Sequence, residues 1–154
     1  MEASPVKNNP VAERREQLSQ LAQSVLDIGG TTDTGSICPV THRFAPGLYC
    51  REIFIPKGAL IVGKIHATSH FNTIIQGECK VITTTEKKVI EAPYTWVTEA
   101  GEQKAVYALE DVIWQTYHVT DSTDLEEIEA QVIVESFDQL EQDKLLERCQ
   151  ELIE

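Results

Sequence analysis

Close cysteine pairs are missing from this chain. Cys38, Cys50, Cys79 and Cys149 stand far apart and form no C-x-x-C. A zinc knuckle is therefore excluded as the organising device, and the cysteines are too sparse for a secreted disulfide scaffold. Long apolar runs are missing too. No stretch approaches the roughly 18 apolar residues of a membrane span. The opening MEASPVKNNPVAERR lacks the apolar core of a signal peptide. The expected setting is cytoplasmic, with no membrane partner. Positive charge is scarce, with 13 Lys and Arg against 25 Asp and Glu and a net charge of −12. Residues 119–154 hold 12 of the acidic side chains and only 2 of the basic ones. Phosphate backbones are held by Lys and Arg, so a nucleic acid is not an expected partner. A small anion in a local lysine-bearing pocket remains compatible with this balance. There is also no nucleophile elbow, no phosphate-cradling glycine loop and no helical H-E-x-x-H.

What is present is β-patterned. A length of 154 residues suits one domain with a proper core. Between Gly47 and Val119, short β-branched and apolar runs alternate with Gly- and Pro-bearing turns. The strands read as Gly47–Pro56, with a bulge near Arg51-Glu52, then the run from Leu60 through Ile75, then Cys79–Thr85. Val89–Ala92, Tyr94–Thr98, Lys104–Leu109 and Val112–Val119 follow. Turns are expected at Pro56-Lys57-Gly58, Gln76-Gly77-Glu78, Lys87-Lys88, Glu99–Gln103 and Glu110-Asp111. Such spacing predicts a mainly β fold, a small antiparallel barrel or sandwich.

Helices are expected at both ends. Residues 1–30 form a polar tail followed by an amphipathic helix, Val11–Ile28, closed by Gly29-Gly30. Leu18, Leu21, Ala22, Val25 and Leu26 make its apolar stripe, which suits either a subunit contact or packing on its own domain. Residues 31–120 hold the barrel, opening with a loop from Thr31 to Pro46. Residues 121–154 form an acidic segment in which Leu125, Ile128 and Val132, then Leu145, Cys149 and Leu152, recur at helical spacing. Thr123 or Asp124 can cap the first piece. Val132-Ile133-Val134 reads equally as an edge strand. The acidic residues are most simply a solvated face.

The chemistry concentrates between Gly58 and Thr85. In a strand, residues of one parity share a face, so Lys64, His66, Thr68 and His70 look the same way. By the same rule Val112, Trp114, Thr116 and His118 share a face of a later strand. His66, His70 and His118 can then converge inside a barrel. Three neutral imidazoles suit a divalent transition metal, Zn, Fe, Mn or Ni. Lys64 and Lys104 argue for the rival reading, a metal-free pocket for an anion. The blandest reading is a hydrogen-bonded polar cluster with Asn72, Gln76 and Thr116. Trp114 either walls the pocket or fills the barrel end. His42 has no partner at metal spacing and reads as a loop histidine. Tyr107 and Tyr117 face away from the polar set by simple alternation.

The stretch resembles the first signature of the cupins, G-x5-H-x-H-x3,4-E-x6-G. Gly58 and Gly77 fall on its two glycines, Lys64 on its first histidine, His66 on its second and His70 on its glutamate. The second cupin signature finds its glycine at Gly101, but Glu99 stands at its proline and Lys104 at its histidine. The likeness runs from about Phe44 to Thr120 and is similar to small cupin-like proteins of tailed bacteriophages. It implies a cupin-like (jelly roll) barrel, the double-stranded β-helix, and a host-cytoplasmic setting. Together, strand parity and this resemblance give as expected ligand-binding residues Lys64, His66, His70, Gln76, Lys104, Trp114 and His118, and as expected metal ligands His66, His70 and His118. Three functions stay open. One is a phage protein that binds a small anionic ligand and so sequesters a host metabolite or nucleotide signal. Another is a metal-dependent enzyme of isomerase or dioxygenase type. The third is a virion or assembly scaffold. A homo-oligomer, dimer or higher, is expected in each case.

Overall fold

The computed structural model describes residues 10–27, 38–134 and 136. The first helix, α1 (Pro10–Asp27), opens on a proline, whose missing N–H costs nothing in a first turn. Eleven strands follow among the described residues, all paired antiparallel. They are β1 (Val40–Ala45), β2 (Leu48–Ile55), β3 (Leu60–Val62), β4 (Ile65–His66), β5 (His70–Gln76), β6 (Glu78–Ile82), β7 (Lys87–Glu91), β8 (Tyr94–Thr98), β9 (Ala105–Ala108), β10 (Val112–Val119) and β11 (Ile133–Val134). A second helix, α2 (Leu125–Val132), precedes β11. The expected mainly β barrel with a helix toward each end is therefore present.

Two sheets form the barrel walls. One is ordered β1-β2-β10-β5-β8 and the other β3-β9-β6-β7. Their facing sides supply a core of Ile53, Ile55, Ile74, Cys79, Val81, Ile90, Val106, Val112 and Trp114, with Cys38 plugged into it. A small third pair, β4 with β11, closes one end. Gly77 turns the chain between β5 and β6 at φ +90°, and a Cβ there would stand 2.2 Å from the carbonyl oxygen of Asp111. Only glycine meets both demands.

Several sequence expectations are corrected. The supposed loop Thr31–Pro46 contains a strand, since β1 pairs with β2 along its whole length. The long strand through Lys64 and His70 is broken into β3, β4 and β5. Lys87-Lys88 opens β7, and the turn lies just before it, where Thr83 Oγ1 accepts from the N–H groups of Thr85 and Glu86. No bulge occurs at Arg51-Glu52: β2 keeps register with both neighbours, and the irregularity lies at Ile113/Trp114 instead. The apolar alternation of β2 is interrupted because Tyr49 and Arg51 share the inward parity of Ile53 and Ile55. The tail is both things expected of it, helix and then edge strand.

The stripe of α1 packs on its own domain. Leu18 is buried against Val62 and Ala105, with Leu21, Ala22 and Ile82 around it. Val25 and Leu26 have side chains outside the described residues, as do residues 1–9, Gly29-Gly30 and the later set Leu145, Cys149 and Leu152. Asp124 caps α2, its carboxylate accepting from the Glu127 N–H at 3.1 Å.

Candidate metal centre and ligand pocket

Three strands from different parts of the chain bring His66, His70 and His118 together. His66 sits on β4, whose backbone is tied on both sides. Its N–H donates to Glu102 O at 3.0 Å, and its carbonyl accepts from Gly101 N at 2.7 Å. On the other edge it pairs with Ile133 of β11. His70 opens β5 and His118 nearly ends β10, its neighbour in the sheet. The ring centroids lie 4.3 Å (His66–His70), 4.6 Å (His70–His118) and 5.8 Å (His66–His118) apart. One nitrogen from each ring lies within 4.8 Å of the others.

The rings are ready to ligate. His66 Nδ1, His70 Nε2 and His118 Nδ1 are buried with no hydrogen-bond partner among the described residues. Burial lowers the pKa of all three. His70 and His118 are brought down to about 4, and His66 lies well below its ordinary value. For His66 and His70 the positive charge of Lys104 is the next cause; for His118 it is that of Arg51, then Lys104. All three imidazoles are neutral near pH 7, as metal ligation requires. Three buried neutral imidazoles, each with an unpartnered nitrogen and no hydrogen bond to one another, fit a divalent cation well.

A cavity of about 520 Å³ opens beside the cluster. His66, His118, Arg51, Lys64, Lys104, Asn72, Thr116 and Trp114 all line it. Lys104 is anchored where β9 begins, its carbonyl accepting from Gly63 N at 2.9 Å. Burial lowers its pKa to about 8. Lys64 is not inside with the histidines. The break between β3 and β4 turns it to the rim, where it is half exposed and paired with Glu129 of α2. Gln76 lies away from the pocket, exposed, with its amide on Asp111 O at 3.4 Å. Trp114 combines both roles weighed for it: it is part of the core and of the pocket wall. Its indole N–H donates to Asn72 Oδ1 at 3.1 Å, and Asn72 Nδ2 donates to Thr98 Oγ1 at 2.7 Å.

Sequence reasoning missed three wall residues. Tyr49 is buried and stacks with His118 at 6.0 Å between centroids. Its hydroxyl lies 2.6 Å from His42 Nδ1, so His42 is exposed but partnered, on a strand rather than a loop. Arg51 stands across from Thr116 in the β2–β10 register. Counting alternation from Ile53 and Ile55 would have placed Tyr49 and Arg51 inside. α2 and β11 close another part of the wall, contributing Leu125, Ile128, Glu129, Val132 and Ile133. No helix among the described residues is long and apolar enough to cross a membrane.

No family model matches the chain, and no curated protein matches it. Solved structures do. A salicylate 1,2-dioxygenase from Pseudoaminobacter salicylatoxidans, in adducts with gentisate, aligns with 78% of this chain at TM-score 0.52 and 12% identity. The alignment spans about a third of the dioxygenase, 34% of its length. A cupin family protein with a double-stranded β-helix fold from Methanocaldococcus jannaschii aligns at TM-score 0.46 and 9% identity, over 55% of this chain and 81% of its own. A cupin superfamily protein from Desulfitobacterium hafniense gives TM-score 0.47 and 10% identity, over 55% and 78%. At such identities the likeness speaks to architecture alone. The architecture is the cupin-type double-stranded β-helix.

Proposed function

We propose that this chain is a metal-binding cupin that takes a small anionic ligand into the pocket beside the metal. One observation carries the metal: three buried imidazoles, each with an unpartnered nitrogen, within 4.8 Å of one another. His66, His70 and His118 would hold the ion. Zn, Fe, Mn or Ni all accept such a donor set. Three protein ligands leave positions open, the arrangement of reactive rather than structural sites. A bound ion would supply Lewis acidity toward a ligand oxygen. The chain's own contribution is to hold neutral imidazoles in place, to exclude water with α2 and β11, and to present Lys104 to an anion.

This reading favours a metal-dependent enzyme, of isomerase or dioxygenase type, over a scaffold whose barrel is inert. The anion-binding function rests on Lys104 and stands whether or not turnover follows. A phage origin and a role in sequestering a host metabolite are supported only by the resemblance of residues 44–120 to small phage proteins.

The test is elemental analysis of the untagged protein after reconstitution, beside His66→Ala and His118→Ala. Near-stoichiometric metal, lost in both variants while their circular dichroism is unchanged, is the expected result. A metal-free wild type after incubation with all four ions would refute the metal centre.

A further inference from the structure

The walls of the pocket specify more than a negative charge. Lys104 is only 8% exposed, and no ion pair or hydrogen bond of its ammonium is found among the described residues. The charge of Glu102 acts on it, but that carboxylate accepts hydrogen bonds from Thr84 at both oxygens and makes none with the ammonium. A buried cation so weakly compensated is costly, and the geometry asks for an anion there. Beside Lys104, Arg51 and the histidines, the cavity has a substantial apolar lining, Ile53, Ile55, Ile61, Val106 and Trp114. Asn72, the one amide among the lining residues, is already committed to Trp114 and Thr98. Thr116 Oγ1 is buried without a partner and offers one more hydrogen bond. The N-terminus of α2 reaches the wall at Leu125, but it is already capped by the carboxylate of Asp124, and no glycine-rich loop lines the pocket among the described residues to cradle a phosphate.

We infer that the ligand is a small monocarboxylic acid with an apolar body. Its carboxylate sits at Lys104 on the histidine side. Its apolar body lies against Ile53, Val106 and Trp114, and one polar substituent reaches Thr116. The inference rests on the proposed ligand pocket and narrows it, but it does not require that the metal be present. Sugars and nucleotides are disfavoured because their hydroxyls and phosphates would be buried against isoleucines.

Calorimetric titration of the full chain, metal-free and zinc-loaded, tests this with four probes: benzoate, cyclohexanecarboxylate, benzyl alcohol and inorganic phosphate. Both carboxylates are expected to bind at least about tenfold more tightly than the alcohol or phosphate, since charge-assisted bonds and apolar burial must act together. Lys104→Met, of similar length and without the charge, is expected to lose that advantage. Phosphate binding more tightly than benzoate, or benzyl alcohol matching benzoate, overturns the inference. So does a chain that rejects both carboxylates. The wild-type comparison decides the matter even if Lys104→Met fails to fold. A chain that binds benzoate but never zinc refutes the metal centre and leaves this inference standing. One that binds zinc and rejects the carboxylates does the reverse.

Discussion

His70 points one ring nitrogen at the carbonyl of Thr68, 3.2 Å away, and leaves the other to the histidine cluster. A carbonyl only accepts, so Nδ1 carries the proton and Nε2 keeps its lone pair. This bond fixes the tautomer that metal binding needs, and it is made by backbone that no side-chain substitution removes.

The neutral cluster makes the metal-free protein sensitive to acid. Burial lowers the pKa of His70 and His118 from 6.5 to about 4. Between those values the unfolded chain binds more protons than the folded one, so stability rises with pH. It is fully present above about pH 6.5 and is lost as pH falls toward 4. Each ring accounts for on the order of 3 kcal/mol across that window. Thermal melts of the metal-free chain from pH 7.5 to 4.5 should show Tm falling steeply below pH 6.5. His118→Leu should flatten the slope. A wild-type profile that is level over this range would show that the rings are not held neutral by burial. Zinc should move the fall to lower pH, because protons must then displace the ion.

The Trp114–Asn72–Thr98 chain makes a second prediction. Asn72 is 1% exposed and satisfies two buried groups. Asn72→Ala leaves an indole N–H and a threonine hydroxyl facing a void, at a cost of about 2–4 kcal/mol. Urea denaturation should show the midpoint falling at nearly constant m-value. A loss under about 0.5 kcal/mol would mean that water replaces the amide without penalty.

Gly77 was legible from sequence as a turn and as a motif position, and the structure supplies the reason. Its φ is +90° and the backbone of Asp111 occupies the space of a Cβ. Gly77→Ala should cost at least about 2 kcal/mol, from strain and from displaced backbone together. Such a loss would appear in the same urea series. A neutral result would show that the β5–β6 turn can shift.

The barrel and the three histidines could be read from sequence because strand parity and turn residues are local signals. The parity argument placed His118 inside with Trp114 and Thr116, and all three line the cavity. It misplaced Lys64, because it assumed one continuous strand where the chain breaks twice. Arg51 and Tyr49 were hidden by the opposite assumption, that inward positions are apolar. A pocket wall violates that pattern, and in sequence the violation mimics a bulge. His42 looks isolated in sequence because its partner, Tyr49, comes within reach only through strand pairing, as the diagonal neighbour beside Arg51. The closure by α2 and β11 depends on contacts between residues about 65 apart, such as Lys64 with Glu129, which no local pattern reveals.

That closure also links the tail to the strand that carries His66. β4 pairs with no strand but β11 among the described residues, through Ile133↔His66 and Val134↔Ile65, and Ala67 N donates to Val132 O at 2.8 Å. Ile128, 2% exposed, packs with Val132 against Tyr49 and holds α2 down. Lys64 and Glu129 only bridge the exposed rim. Removing the rim pair by Lys64→Ala should therefore change stability by less than about 1 kcal/mol. Ile128→Ala should cost about 2–4 kcal/mol locally, as a buried side chain removed from the hinge of the strap. If α2 and β11 orient His66, the second variant should also weaken zinc binding, while the first should not. Hydrogen exchange gives the independent reading, with faster exchange at residues 125–134 in Ile128→Ala and slower exchange in the wild type once zinc is added. Loosening of the strap with zinc affinity unchanged would show that β4 holds its histidine without help from the tail, through the Gly101 and Glu102 bonds alone.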